Sequence, residues 1–177
     1  ISQRGSFWGY NVFERYVYRR ANIIYYRNNL CRDTLLERGC PPNKLHGPMP
    51  NGVSTRTFYS ADSEAVEQFW ANHPSAIDRS EDLCVGFAGR IAYRKGIDLL
   101  LKLARKRPDV SVLLCGKVEE QDYLKRIEAE GNMTYLGHLN SQELVRFYTA
   151  CDILALPSIP TKTWEEQFGR VLTEAIA

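Results

Sequence analysis

From Glu81 onward, short runs that are apolar at nearly every position alternate with longer stretches whose apolar residues recur at helical spacing. The runs are LCVGFAG, VSVLLCG, MTYLGHL and DILALPS; the stretches are KGIDLLLKLARKRPD, EEQDYLKRIEAEG, SQELVRFYTAC and FGRVLTEAIA. A continuous apolar run marks a strand covered on both faces, and an amphipathic helix of about 10–14 residues after it completes a βα unit. Ser141 stands ahead of the third stretch as its expected helix cap. The pattern predicts an α/β domain over residues 82–177, with a doubly wound parallel sheet that stops before its last strands.

Residues 1–58 are patterned differently. NVFERYVYRR predicts a helix, Ala21–Tyr26 a short strand, and the following stretch a second helix ending at Gly39. PPNKLHGPMPNGV then carries Pro and Asn-Gly turn signals. Residues 59–81 read as a polar helix and linker, which sets the expected boundary between two domains.

Composition narrows the class. The chain has 177 residues, 44% hydrophobic and 25% charged, and no apolar run approaches the roughly 18 residues of a membrane span. ISQRGSFWGY has neither an initiator Met nor an apolar stretch with a cleavage site, and the end is abrupt. A fragment is the expectation. The five cysteines form no C-x-x-C pair and no metal-like set with His46, His73 or His138, so reduced buried thiols are expected. The net charge of +2 hides an asymmetry: residues 1–58 hold nine Lys/Arg against three Asp/Glu. A basic piece of that kind faces solvent, nucleic acid, anionic lipid or a phosphate-bearing ligand.

Ligands of parallel α/β sheets collect at the carboxyl ends of the strands. GFAGRIAYRKG puts Gly86 and Gly89 at such an end, with Arg90 and Lys95 in the next loop. Glycines admit a ligand to the backbone and two cations neutralise a diphosphate; the plain alternative is a basic loop without a ligand. Neither G-x-G-x-x-G nor the Walker pattern occurs, which argues against a dinucleotide dehydrogenase or a P-loop ATPase. Gly116 and Gly137 end the next two runs, as crevice formers or as ordinary turn glycines. Glu166 precedes the last helix, whose first turn is Gly169, Arg170, Val171 and Leu172, and Glu174 lies within it. Free N–H groups there favour an anion, and a carboxylate can accept both hydroxyls of a ribose diol; a capping acid and a surface glutamate are the alternative.

GFAGRIAYRKGIDLLLKLA, VSVLLCG, MTYLGHLNSQELVRFYTACDILALPS and WEEQFGRVLTEAIA together resemble the nucleotide-sugar-binding half of the group 1 glycosyltransferases, retaining enzymes of the GT-B fold. The stretch from Glu14 to Phe58 is similar to the end of the acceptor domain and the hinge. The resemblance implies two Rossmann-like domains, the first represented by its tail, and metal-independent transfer of a hexose. No Asp-x-Asp pair is present to hold a metal diphosphate, and no cofactor is expected. By that resemblance Arg90 and Lys95 hold the donor diphosphate, beside Gly89 and Gly116. Glu166, with the Phe168–Gly169 backbone, approaches the sugar, and Arg170, Val171 and Leu172 offer main-chain N–H groups. Glu174 takes the ribose, while Tyr135, Leu136, Gly137 and Leu139 run beside the base. Retention would follow from front-face attack, the leaving diphosphate accepting the acceptor's proton.

Ser54 where the family has Asp, and YYRNN where it has Ser, depart from the pattern at the hinge. The implied partners are a UDP-, GDP- or ADP-linked sugar and a glycan, lipid-linked or small-molecule acceptor, with no nucleic acid. The wording of PSIPTKTWEEQFGRV leans towards cell-surface polysaccharide synthesis. A cytoplasmic location follows, with peripheral association at the inner face of the membrane through Arg15, Arg19 and Arg20. Alternatives are a nucleotide-sugar epimerase, a starch- or sucrose-type synthase, or a non-catalytic nucleotide-binding module.

Overall fold

The computed structural model describes residues 8–73, 83–162 and 164–177. The chain divides into two compact units, Ile1–Gly52 with Pro160–Phe168, and Val53–Ile159 with Gly169–Ala177.

In the first unit, α1 (Trp8–Arg20), β1 (Ile24–Tyr25), α2 (Asn29–Glu37) and β2 (Leu45–His46) follow in order. β1 and β2 are parallel, Ile24 opposite Leu45. The strand expected over Ala21–Tyr26 shortens to two residues because its described partner pairs over only two positions. The α2 cap is Asn28, whose side chain accepts the Cys31 N–H at 2.8 Å. At the end of α1, Lys44 donates to the Tyr18 and Arg19 carbonyls at 2.8 and 3.0 Å, closing two carbonyls that the helix leaves open.

The second unit carries α3 (Ser63–Ala71), β3 (Leu83–Ala88), α4 (Ile97–Lys106), β4 (Val110–Cys115), α5 (Gln121–Glu128), β5 (Met133–Tyr135), α6 (Ser141–Ala150), β6 (Ile153–Leu154) and α7 (Arg170–Ile176). Its sheet is parallel throughout in the order β5-β4-β3-β6. Alternation along the central strands explains their unbroken apolar sequence. Val85, Phe87, Val112 and Leu114 pack on one face with Ile97, Leu101 and Ile127, from α4 and α5. Cys84, Ala88, Leu113 and Cys115 pack on the other with Phe69 of α3 and Phe147 of α6. Burying a ring as fully as Phe147 contributes roughly 1.5–3 kcal/mol.

Two local expectations are corrected. The α6 cap is Asn140, not Ser141, which is the first helical residue. Asn140 accepts from the Gln142 and Glu143 N–H groups at 2.9 and 3.1 Å, while Glu143 accepts the Asn140 N–H at 2.7 Å. This reciprocal box satisfies more donors than a serine one position later can. The helix expected to be polar, α3, is anchored by buried Phe69, whose ring meets Phe147 edge-on at 6.3 Å. The rest of the expected linker, residues 74–81, lies outside the described residues.

Candidate functional site

Beyond the carboxyl ends of β3, β4 and β5, the second unit opens a cavity of about 280 Å³. Larger hollows of about 590 and 420 Å³ lie in the first unit. Size therefore does not single this one out; its chemistry does. Two glycine-bearing strand ends, cations and a buried carboxylate converge on it.

The floor is backbone. Gly89 donates to the Cys115 carbonyl at 2.9 Å and Gly116 to the Gly137 carbonyl at 2.8 Å. Gly116 has φ +129°, and a Cβ there would overlap the Gly89 carbonyl oxygen. Only glycine gives both that conformation and that approach. Behind this floor the Tyr135 hydroxyl donates to the Gly116 carbonyl at 2.6 Å. Burial pushes the Cys115 thiol up to about 12, so it stays protonated and unreactive at neutral pH.

One wall comes from α7. Gly169, φ +70°, turns the chain into the helix where a Cβ would overlap Leu156. Arg170, Val171 and Glu174 then line the cavity. Glu174 is only 7% exposed. Its Oε2 accepts the Tyr148 hydroxyl at 3.0 Å and its Oε1 meets Arg170 Nε at 2.8 Å. Burial, and then the Glu174 charge, raise the Tyr148 pKa well above its ordinary value, so Tyr148 remains a donor. Arg170 is 72% exposed, whereas Glu174 is buried and held by both partners.

The opposite rim is the loop after β3. Arg90 is 60% exposed and its Nη1 meets Glu119 Oε1 at 2.6 Å; Arg94 reaches the other oxygen at 2.7 Å. The hydrogen bond from Arg90 leads the effects that hold the Glu119 carboxyl below its usual range.

Of the positions singled out by sequence, the fold brings Gly89, Arg90, Gly116, Leu139, Arg170, Val171 and Glu174 to this cavity. Lys95 sits in the short 3₁₀ turn Tyr93–Lys95 and does not line it. Leu136 packs in the core and its N–H is taken by the Leu114 carbonyl at 2.8 Å; Gly137 supplies its carbonyl to Gly116. The Leu172 N–H was expected to face a ligand, but it bonds the Gly169 carbonyl at 2.9 Å, because the first turn tightens. Glu166 and Phe168 belong to Pro160–Phe168, part of the first unit. Sequence reasoning missed Tyr148, Lys117 and His138, which also line the cavity. Tyr148 left one signal, a polar-tipped ring one turn after Leu144 in an apolar stripe.

Among the described residues no cluster of His, Cys, Asp or Glu is arranged to hold a metal ion, and no helix is long and apolar enough to cross a membrane. Arg15, Arg19 and Arg20 are exposed on α1, beside exposed Val12, Phe13 and Tyr16.

Residues 68–177 match the model of the family described as glycosyl transferases group 1. A D-inositol 3-phosphate glycosyltransferase of Mycobacterium sp. (strain JLS) is 35% identical over 176 residues, covering 94% of this chain and 37% of its own length. The chain thus spans little more than a third of that relative. Among solved structures, Anabaena Alr3699/HepE in complex with UDP and glucose superposes with a TM-score of 0.73 at 23% identity, over 93% of this chain and 44% of that one. A glycosyltransferase from Rickettsia africae ESF-5 gives 0.75 at 19%, over 93% and 45%. The architecture is accordingly α/β of the GT-B type.

Proposed function

This chain belongs to the group 1 glycosyl transferases, and from that premise we propose that it carries the donor site of a retaining, metal-independent hexosyltransferase. The donor is a nucleotide-diphosphate sugar, linked to UDP, GDP or ADP. The observation that carries the reading is the buried carboxylate of Glu174 sharing one cavity with Arg90 and Arg170 at the carboxyl edge of a parallel sheet.

Chemically the parts fit that donor. A carboxylate offers about four lone-pair directions, and Tyr148 and Arg170 occupy two. Two remain for the vicinal hydroxyls of a ribose. Arg90 neutralises the diphosphate and stabilises it as it leaves, and Lys95, outside the cavity lining in the same loop, adds positive potential. The N–H groups of Arg170 and Val171 add main-chain donors, and Gly89 and Gly116 let phosphate oxygens reach the backbone. Leu139 lines the cavity beside the base, and Tyr135, Leu136 and Gly137, bonded into the strand ends behind it, support that edge. Glu166, with the Phe168 backbone, orients the sugar. The acceptor's proton passes to the leaving diphosphate on the same face, so no protein base takes part and configuration is retained.

The acceptor is a glycan, lipid-linked or small molecule in cell-surface polysaccharide synthesis, at the cytoplasmic face of a membrane. The exposed Arg15, Arg19 and Arg20 beside apolar side chains of α1 support peripheral contact with anionic lipid. Vesicle flotation tests this; retention by neutral vesicles alone, or insensitivity to salt, overturns it. The decisive experiment for the site is titration of the full-length protein with UDP, GDP and ADP, followed by transfer assays with the matching sugars in the presence of a chelator. Binding of one nucleotide diphosphate and chelator-insensitive turnover with retention is expected. Absence of binding to all three overturns the reading.

A further inference from the structure

Arg90 and Lys117 are neighbours across the sheet. The β3–β4 pairing sets Ala88 opposite Cys115, and past the strand ends the bridge between Ile91 and Val118 keeps that offset. Arg90 therefore stands beside Lys117, and the Ile91 N–H donates to the Lys117 carbonyl at 2.9 Å. Both residues line the cavity.

Like charges opposite one another on adjacent strands repel. The fold offsets one of them: Arg90 is held by Glu119. Arg170, which also lines the cavity, is held by Glu174. Lys117 is exposed, and no acidic side chain of the described residues pairs with it. Gly116 precedes it with its backbone against Gly89, so each of the two neighbouring cations follows a position without a side chain. An anion at that edge meets glycine backbone and two neighbouring cations. Two adjacent positive groups suit a ligand with two adjacent anionic centres.

Resting on the donor-site reading above, we propose that Lys117 is a further donor-binding residue, sharing the diphosphate with Arg90. Arg90 is shared in turn with Glu119, whereas the Lys117 ammonium is uncommitted. Lys117 thus gives the phosphates a full charge without first breaking an ion pair. The charge it places beside Arg90 is unfavourable by itself and becomes favourable once an anion bridges the two.

The test uses the full-length enzyme with Lys117→Met, Lys117→Gln, Lys117→Arg, Arg90→Met and Glu174→Gln. Calorimetric titration employs whichever of UDP, GDP and ADP binds the unmodified enzyme most tightly, with the corresponding nucleoside as control. Removing one charge-assisted contact should weaken the diphosphate roughly 10- to 100-fold. Nucleoside affinity should stay within threefold, and Lys117→Arg should recover most of the loss. Melting temperature should not fall, since the repulsion from Arg90 is relieved. If both charge-free variants bind the diphosphate within twofold of the parent while Arg90→Met does not, the donor site stands and Lys117 is only a solvated cation. If Arg90→Met and Glu174→Gln also bind normally, the donor-site reading itself falls.

Discussion

Replacing Glu174 by Gln separates what the carboxylate does for the fold from what it does for a ligand. Its two oxygens are engaged by different partners, Tyr148 at 3.0 Å and Arg170 at 2.8 Å. The Gln carbonyl can still accept from Tyr148, but as a neutral acceptor. Bonds to charged groups contribute about 1.5–3 kcal/mol and neutral ones about 0.5–1.5, so this step costs roughly 1 kcal/mol. The amide nitrogen then faces Arg170 donor to donor. Because Arg170 is 72% exposed it can turn to water, and losing an i,i+4 pair whose cation is solvated adds only about 0.3–0.5 kcal/mol. A melting temperature lowered by a few degrees follows. Nucleotide affinity should respond more strongly, because both remaining lone-pair directions are offered to the ribose and both bonds lose their charge. A fall of roughly 10- to 150-fold corresponds to about 1.5–3 kcal/mol. Differential scanning calorimetry and titration of the full-length protein measure the two effects separately. Affinity within threefold of the parent, at the predicted small loss of stability, would refute the ribose assignment.

Arg90→Ala in the full enzyme should lower kcat/KM by roughly 10²–10³, the range for losing one preorganised charge contact, and a loss below threefold would sink its role. Asp98 links α4 to α5 by accepting from Tyr123 and Arg126, each at 2.6 Å, and the Tyr123 hydrogen bond leads the effects that hold its pKa below the ordinary value of 3.8. A depressed carboxylate pKa stabilises above the unfolded value and loses that effect as pH falls through the folded one. Asp98→Asn should therefore cost about 1 kcal/mol near pH 7, and its melting curve should converge on the parent's below about pH 4. A constant difference from pH 7 to pH 3 would contradict this. Gly116→Ala combines a φ of +129° with overlap onto the Gly89 carbonyl and should destabilise by about 3 kcal/mol or more, read by denaturant unfolding; a change under about 1 kcal/mol would show that the floor can yield.

The sheet was legible because burial on both faces leaves no polar positions in its central strands. Val112, Leu113 and Leu114 are fully buried in succession, two facing one core and one the other. Edges were less legible. β6 was read as part of DILALPS but is two residues long, pairing only with Val85 and Gly86 of β3. Asn140 and Ser141 are both good caps, and only the position of Glu143 three residues after Asn140 decides between them. Phe69 and Trp70 at the end of a polar helix gave no periodic signal of the face that they bury.

The site divides in the same way. Glycines at strand ends and a carboxylate in the last helix are local features, and these meet at the cavity. Partnership is not local: Tyr148 reaches Glu174 across 26 residues, and Lys117 reaches Arg90 only through strand register. No periodicity encodes either. Sequence can therefore nominate charged groups for a phosphate site but not rank them, because the rank depends on which are already neutralised. Among the described residues Arg90 and Arg170 are each paired with a carboxylate and Lys117 is not. A ligand must compete with Glu119 and Glu174 for the two arginines, so its anionic charge should be felt most strongly at the lysine.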